Sequence, residues 1–284
     1  MNVLSNIAGT IDRRFLVNYR VDPEFLARQL PKPFRLHLVE GYGVAGICVI
    51  RLGQLRPEGL PASVGISTQN AAHRIAVEWD TADGPVRGVY IVRRDTSSAA
   101  TVQLGGRLFP GVHYRADFKF VEQSSRYEVA FKSRNDEASF AMSAGSADGL
   151  GPNSVFASLD EASKFFQQSP LGYSPSDREG VVEGLELQCA SWNVEPLQIE
   201  HVESSVFDDA TMFPRGSVTF DSALVMRHIP ALWRARGQLH SQRIEASVAA
   251  CQVSSLASPS APLRSLIAER ACRAASRAPD HAGS

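Results

Sequence analysis

Cysteine is scarce: Cys48, Cys189, Cys251 and Cys272 are the four thiols in 284 residues, widely spaced and with no CxxC pair. This spacing excludes a dense disulfide framework and offers no zinc-ligand pattern, so reduced thiols in a cytoplasmic, metal-free protein are expected. No run of about twenty apolar residues occurs, which excludes a helical membrane span. The N-terminal MNVLSNIAGTIDRR lacks the basic-then-apolar order of a secretory leader. An excess of either charge is missing too. The 29 Lys and Arg stand against 30 Asp and Glu, so no broad basic field is available for nucleic acid or an anionic membrane. The glycine-rich piece Gly41 to Gly46 lacks the lysine and following helix of a phosphate loop. Gly145-Ser146-Ala147-Asp148-Gly149 lacks the spacing of a nucleophile elbow. No internal repeat is present.

Hydrophobic content of 44% with 21% charged residues suits a chain that buries a substantial core. Residues 1–14 read as a lead-in. Asp22-Pro23-Glu24 predicts a capped helix running to Leu30, stopped by Pro31 and Pro33. Extended segments are expected at Phe34–Glu40 and Val44–Leu52 around Gly41-Tyr42-Gly43, with a Pro- and Gly-rich loop at Arg56–Ser63. A second hairpin is expected from Ile75–Trp79 and Val86–Val92. Thr96 or Ser97 would cap a helix reaching Leu108. Further strands are expected at Tyr114–Val121, Arg126–Ser133, Ala138–Ala144, Val182–Cys189, Val194–Val202 and Ser217–Arg227. Ser158-Leu159-Asp160-Glu161 opens a helix to Gln168 through a capping box, and Phe207–Phe213 reads as helical.

Many short strands with few helices and hairpin-length loops predict an α+β, mainly β chain built on an antiparallel sheet or partly closed barrel. Residues 1–252 form the expected domain. Residues 253–284, rich in Ser, Ala, Pro and Arg, read as a low-complexity tail in which Leu263–Ala275 could form a basic helix. Open sheet edges allow a homo-oligomer without fixing its size.

The most informative stretch is 86–115, VRGVYIVRRDTSSAATVQLGGRLFPGVHYR: an apolar strand, an Arg-Arg-Asp end, a small-residue helix, a Gly-Arg turn and a His-Tyr pair. It resembles the substrate-pocket segment of the acetoacetate decarboxylase-like superfamily, whose enzymes carry a pattern like G-R-E-x-x-G-x-P-K-K with a Schiff-base lysine. Here Tyr114 stands at that lysine's place, and a phenol cannot condense with a ketone. Asn70 to Val77 (NAAHRIAV), Val89-Tyr90, Asp95, Arg107-Leu108-Phe109 and His113-Tyr114 resemble, in order, segments of the YqjF-like group of uncharacterised bacterial proteins with that fold. The resemblance spans residues 15–235 and implies an antiparallel β-cone. The group's acidic residue falls at Asn70 here, or at Gln69 if the register slips by one, so its carboxylate is missing as well.

From the residues themselves, period two puts His73, Ile75, Val77 and Trp79 on one face and Arg74, Ala76 and Glu78 on the other. Arg74 either forms an exposed pair with Glu78 or, in a curled sheet, faces a lumen and holds a carboxylate bidentately. Of Arg93 and Arg94 only one can face a pocket; Asp95 either stabilises the helix entrance, pairs an arginine, or belongs to an anion-binding corner. His113 and Tyr114 are an acid/base pair or a packed, hydrogen-bonded one. Trp192 and Trp233 read as core, and His37, His201, His228 and His240 show no ligand spacing. The resemblance implies a pocket of Asn70, Arg74, Arg93, Arg107, His113 and Tyr114 for a small organic acid or ketone, without cofactor, metal or imine. A lyase or hydrolase using His113 and Tyr114, or a non-catalytic interaction module, are the alternatives.

Overall fold

A computed structural model describes residues 6–104 and 109–240. The strands are β1 Asn6–Val21, β2 Arg35–Leu36, β3 Leu38–Val39, β4 Tyr42–Pro57, β5 Ile66–Thr81, β6 Gly84–Thr96, β7 His113–Gln123, β8 Arg126–Ser133, β9 Ser139–Ser146, β10 Leu171–Pro175, β11 Val181–Cys189, β12 Glu195–Ser204 and β13 Val218–His240. Three short helices, α1 Pro23–Ala27, α2 Ala99–Leu104 and α3 Leu159–Gln167, complete the set with a 3-10 turn at Ala62–Val64. None of the described helices is long and apolar enough to cross a membrane.

All the strands join one 13-stranded sheet. Its centre is the run β6-β5-β4-β1-β13, and the pairings close it on two sides. β6 leads through β10 and β11 back to β13. It also leads through β7, β8, β9 and β12 to the other end of β13. The 23-residue β13 can serve both closures because β11 takes its residues 231–240 and β12 its residues 223–225.

Period-two alternation then assigns each face of the centre to its own core. Phe15, Val17, Tyr19, Ile47 and Val49 pack toward β7–β9 with Tyr127, Phe131 and Phe140. Leu16, Cys48, Leu52, Leu224 and Met226 pack toward α3, Phe109 and Trp233. Helix α3 forms as its capping box requires: Ser158 Oγ accepts from Glu161 N at 3.2 Å, while Glu161 Oε2 accepts from Ala157 N at 2.8 Å.

Several expectations need correction. Residues 6–14 are no lead-in but the first half of β1, where Ile7 and Ile11 alternate inward between Asn6, Ala8, Thr10 and Asp12. The sheet is not wholly antiparallel: β6 runs parallel to β7, which the chain reaches by a crossover through α2, and to β10, which it reaches after β9 and α3. Ser98, not Thr96 or Ser97, caps α2 by accepting from Thr101 N at 3.1 Å. Helix α1 ends at Ala27, three residues short of Leu30, and Phe207–Phe213 forms turns held by Ser204 and Asp209 rather than a helix. The strand Leu171–Pro175 was not expected. The proposed tail and the part of the α2 helix expected beyond Leu104 lie outside the described residues.

Candidate functional site

Three rows of register partners cross β1, β4, β5 and β6 on the face that looks toward β10, β11 and α3. The middle row is Leu16, Cys48, Ala72, Arg94 and, on β7, His113. One flanking row is Arg14, Ile50 and Asn70; the other is Asn18, Gly46, Arg74 and Ile91. Side chains of these rows floor a cavity of about 380 Å³. Its walls come from Phe109, from Phe166 and Gln167 of α3, from Leu185 and Leu187 of β11, and from Trp192 and Trp233. Both tryptophans pack in the second core cluster, as read from sequence, and also wall the cavity.

Arg74 is 3% exposed. Its Nη2 donates to Asn18 Oδ1 at 2.5 Å and its guanidinium lies 4.8 Å from the centre of the Phe166 ring. Asn18 is oriented by its own amide nitrogen, which donates to Leu16 O and Ser222 Oγ. Gly46 separates the two in their row, and a Cβ there would lie 2.2 Å from the Val17 carbonyl oxygen, so only glycine fits. Nε and Nη1 of Arg74 have no partner. Arg94 donates from Nε to Ser174 Oγ at 2.8 Å, and Arg14 from Nε to Cys48 Sγ at 3.1 Å. Burial draws the guanidinium of Arg74, and likewise that of Arg94, down to about 10, which leaves both cationic at neutral pH. Among the described residues no carboxylate pairs with Arg14, Arg74 or Arg94. Asp95 touches the cavity, but its carboxylate is bound by Arg93 at 2.9 and 3.1 Å.

His113 lines the cavity half-buried, with Nδ1 3.0 Å from Gly111 O. A carbonyl only accepts, so Nδ1 carries the proton and Nε2 keeps its lone pair. Burial, helped by the nearby Arg94 charge, lowers this imidazole to about 3. His73, on the opposite face, is fully buried with neither nitrogen bonded, and burial also lowers it to about 3. For both groups the unfolded chain binds more protons once the pH falls below the ordinary value of 6.5. Their contribution is therefore intact above that pH and is lost as the pH drops toward about 3. Urea melts between pH 4 and 7 are expected to show this loss. His73→Asn should flatten the slope by about 1.4 kcal/mol per pH unit, the equivalent of one proton. An unchanged slope would show that His73 titrates alike in both states.

Of the residues singled out in the sequence, Asn70, Arg74 and His113 meet at the cavity and Arg93 and Tyr114 do not. The cause is a bulge between His73 and Arg74, where β5 pairs with Arg93 and then Ile91 and skips Val92. Val89 and Ile91 face the cavity before the bulge; after it the phase shifts and Arg94 does. Arg93 turns to the other core and bonds Asp95, Glu137 (2.8 Å), Ser133 (2.7 Å) and Asn135 (2.9 Å) above the Tyr114 ring. Glu78 pairs with Arg35 instead of Arg74. Arg107 lies outside the described residues. The chain's four lysines, Lys32, Lys119, Lys132 and Lys164, are all exposed and none lines the cavity. Sequence reasoning missed Arg14, Arg94 and Cys48 as cavity residues.

Residues 10–226 match DUF2071, described as an uncharacterised conserved protein. No curated protein matches the chain. An acetoacetate decarboxylase-like enzyme from Sphingomonas wittichii RW1 superposes with a TM-score of 0.54 at 14% identity, over 85% of this chain and 95% of its own. The acetoacetate decarboxylase of Legionella pneumophila gives 0.50 at 12% identity, over 84% and 90%. The enduracididine biosynthesis enzyme MppR, complexed with pyruvate, gives 0.51 at 11% identity, over 83% and 89%. At these identities the likeness is one of fold: mainly β, of the acetoacetate decarboxylase-like type.

Proposed function

The chain belongs to the DUF2071 family of uncharacterised conserved proteins, and from that premise we propose that it binds a small organic acid, such as a 2-oxo acid, without forming an imine. One observation carries the reading: Arg74 is buried in the cavity wall with two N–H groups unpartnered and no carboxylate to neutralise it. A buried charge left uncompensated costs several kcal/mol, and a ligand carboxylate accepting from Nε and Nη1 offsets that cost with two charge-assisted bonds. Asn70 and His113 also line the cavity and would orient the rest of the acid. The pyruvate held by MppR in a similar fold supports the choice of an oxo acid. None of the chain's four lysines lines the cavity, which supports a ligand held without an imine. Of the acid/base pair expected from sequence, His113 alone lines the cavity, which favours binding over the lyase or hydrolase alternative.

Calorimetric titration of the purified chain with pyruvate and longer 2-oxo acids is expected to show saturable binding. Borohydride treatment of the same complexes should leave the protein mass unchanged. A mass increase would assign imine chemistry to a lysine, and absence of heat and thermal shift across the panel would overturn the binding reading.

A further inference from the structure

Three guanidinium groups in one cavity exceed what a monocarboxylate can neutralise. Arg14 donates to the Cys48 sulfur, and the guanidinium groups of Arg74 and Arg94 both lie within electrostatic reach of that thiol, with Arg94 also beside His113. The register sets the three around that thiol, with Cys48 on the middle row. Arg94 is on the middle row, next to His113 of β7, while Arg14 and Arg74 occupy the rows on either side, two strands apart. Diagonal neighbours on adjacent strands, such as Arg74 and Arg94, have Cα atoms about 7–8 Å apart. Each arginine is anchored by an uncharged group: Asn18 for Arg74, Ser174 for Arg94, and the sulfur of Cys48 for Arg14. These anchors fix direction without cancelling charge. They also leave guanidinium N–H groups unused, two of which, on Arg74, are fully buried. Opposite this cationic floor the cavity is apolar, walled by Phe109, Leu185, Trp192 and Trp233.

We infer that the ligand is a dianion, an organic acid with two acidic groups on a hydrocarbon or aromatic body. One acidic group sits at Nε and Nη1 of Arg74, the other at Arg94 beside His113, and the body lies against the tryptophan wall. This inference rests on the acid-binding reading above and adds the second charge and the apolar body.

Three probes separate its parts: benzylsuccinate, its monomethyl esters, and succinate, each titrated calorimetrically into the full chain at pH 7.5 in low salt. The diacid is expected to bind about tenfold or more tightly than either monoester, the scale of one additional charge-assisted contact. Succinate, which lacks the ring, should bind more weakly than benzylsuccinate. Arg94→Gln should lower affinity for the diacid toward that of its esters in the wild-type protein. Equal affinities of diacid and esters in the wild-type protein would overturn the dianion and leave the acid-binding reading intact. Equal affinities of succinate and benzylsuccinate would overturn the apolar body. No binding by any of the three, nor by the 2-oxo acids, would remove both readings. The wild-type comparison needs no variant to fold, and circular dichroism of Arg94→Gln confirms that its sheet is intact.

Discussion

Arg74→Met is expected to raise the melting temperature of the ligand-free protein while abolishing its stabilisation by organic acids. The native guanidinium is 3% exposed and has a single hydrogen bond, to Asn18, with Phe166 beneath it. Replacing a buried charge that has no counter-ion with an apolar side chain of similar length removes a desolvation cost. Against this stands the loss of the Asn18 bond, worth about 1 kcal/mol. A net gain of about 1–3 kcal/mol follows. In the wild-type protein an acid at a hundred times its dissociation constant adds about 2.7 kcal/mol, and the variant should show none of it. Thermal melts of both proteins with and without 2-oxo acid read the two effects together. A variant less stable than the wild type, or still stabilised by acid, would show that Arg74 is an ordinary structural residue.

Arg93→Met should do the reverse and cost about 3–5 kcal/mol, measured as a lower urea midpoint with an unchanged slope. This arginine is as buried as Arg74 (5% exposed), but it neutralises Asp95, which is 0% exposed, and it also binds Glu137, Ser133 and Asn135. Removing it strands the Asp95 carboxylate in a medium that has already pushed its protonation upward through burial. The two arginines lie on facing strands, one residue out of register, with opposite expected signs. The difference between them is whether the protein supplies the counter-ion or leaves that role to a ligand. Equal losses of stability in both variants would erase that distinction.

Much of the fold was legible because the strands carry clear local signals. The hairpins β7–β8–β9 and the helix α3 were expected nearly to the residue, since polar turns and a capping box are local features. Strand β1 was missed, its first half being read as a lead-in, because Gly9, Asp12, Arg13 and Arg14 interrupt the apolar pattern. Their placement follows from pairing with β4 and β13, with partners such as Ile50 for Arg14 and Ala231 for Gly9, which no local rule reports. The same limit hid Arg14 as a cavity residue. Arg94 escaped for a different reason. Alternation correctly said that only one of Arg93 and Arg94 faces the pocket, but a single bulge at Val92 decides which, and its two-against-one pairing has no signature in VYIVRRD. Arg74 could be singled out because it interrupts the apolar strand-like run AAHRIAVEW, whereas Asn70 and His113 were reached through the family resemblance. Tyr114 follows His113 directly and so points away by alternation, a conclusion available from sequence once His113 is placed.

The account turns on an acid held by an unpartnered arginine in a cavity without an amine. The direct test is a crystal structure of the full chain grown with a saturating 2-oxo acid. The carboxylate is expected within about 3 Å of Arg74 Nε and Nη1, with the carbonyl carbon unbonded to the protein. An empty cavity at saturation, or density continuous from that carbon to a lysine, would contradict it.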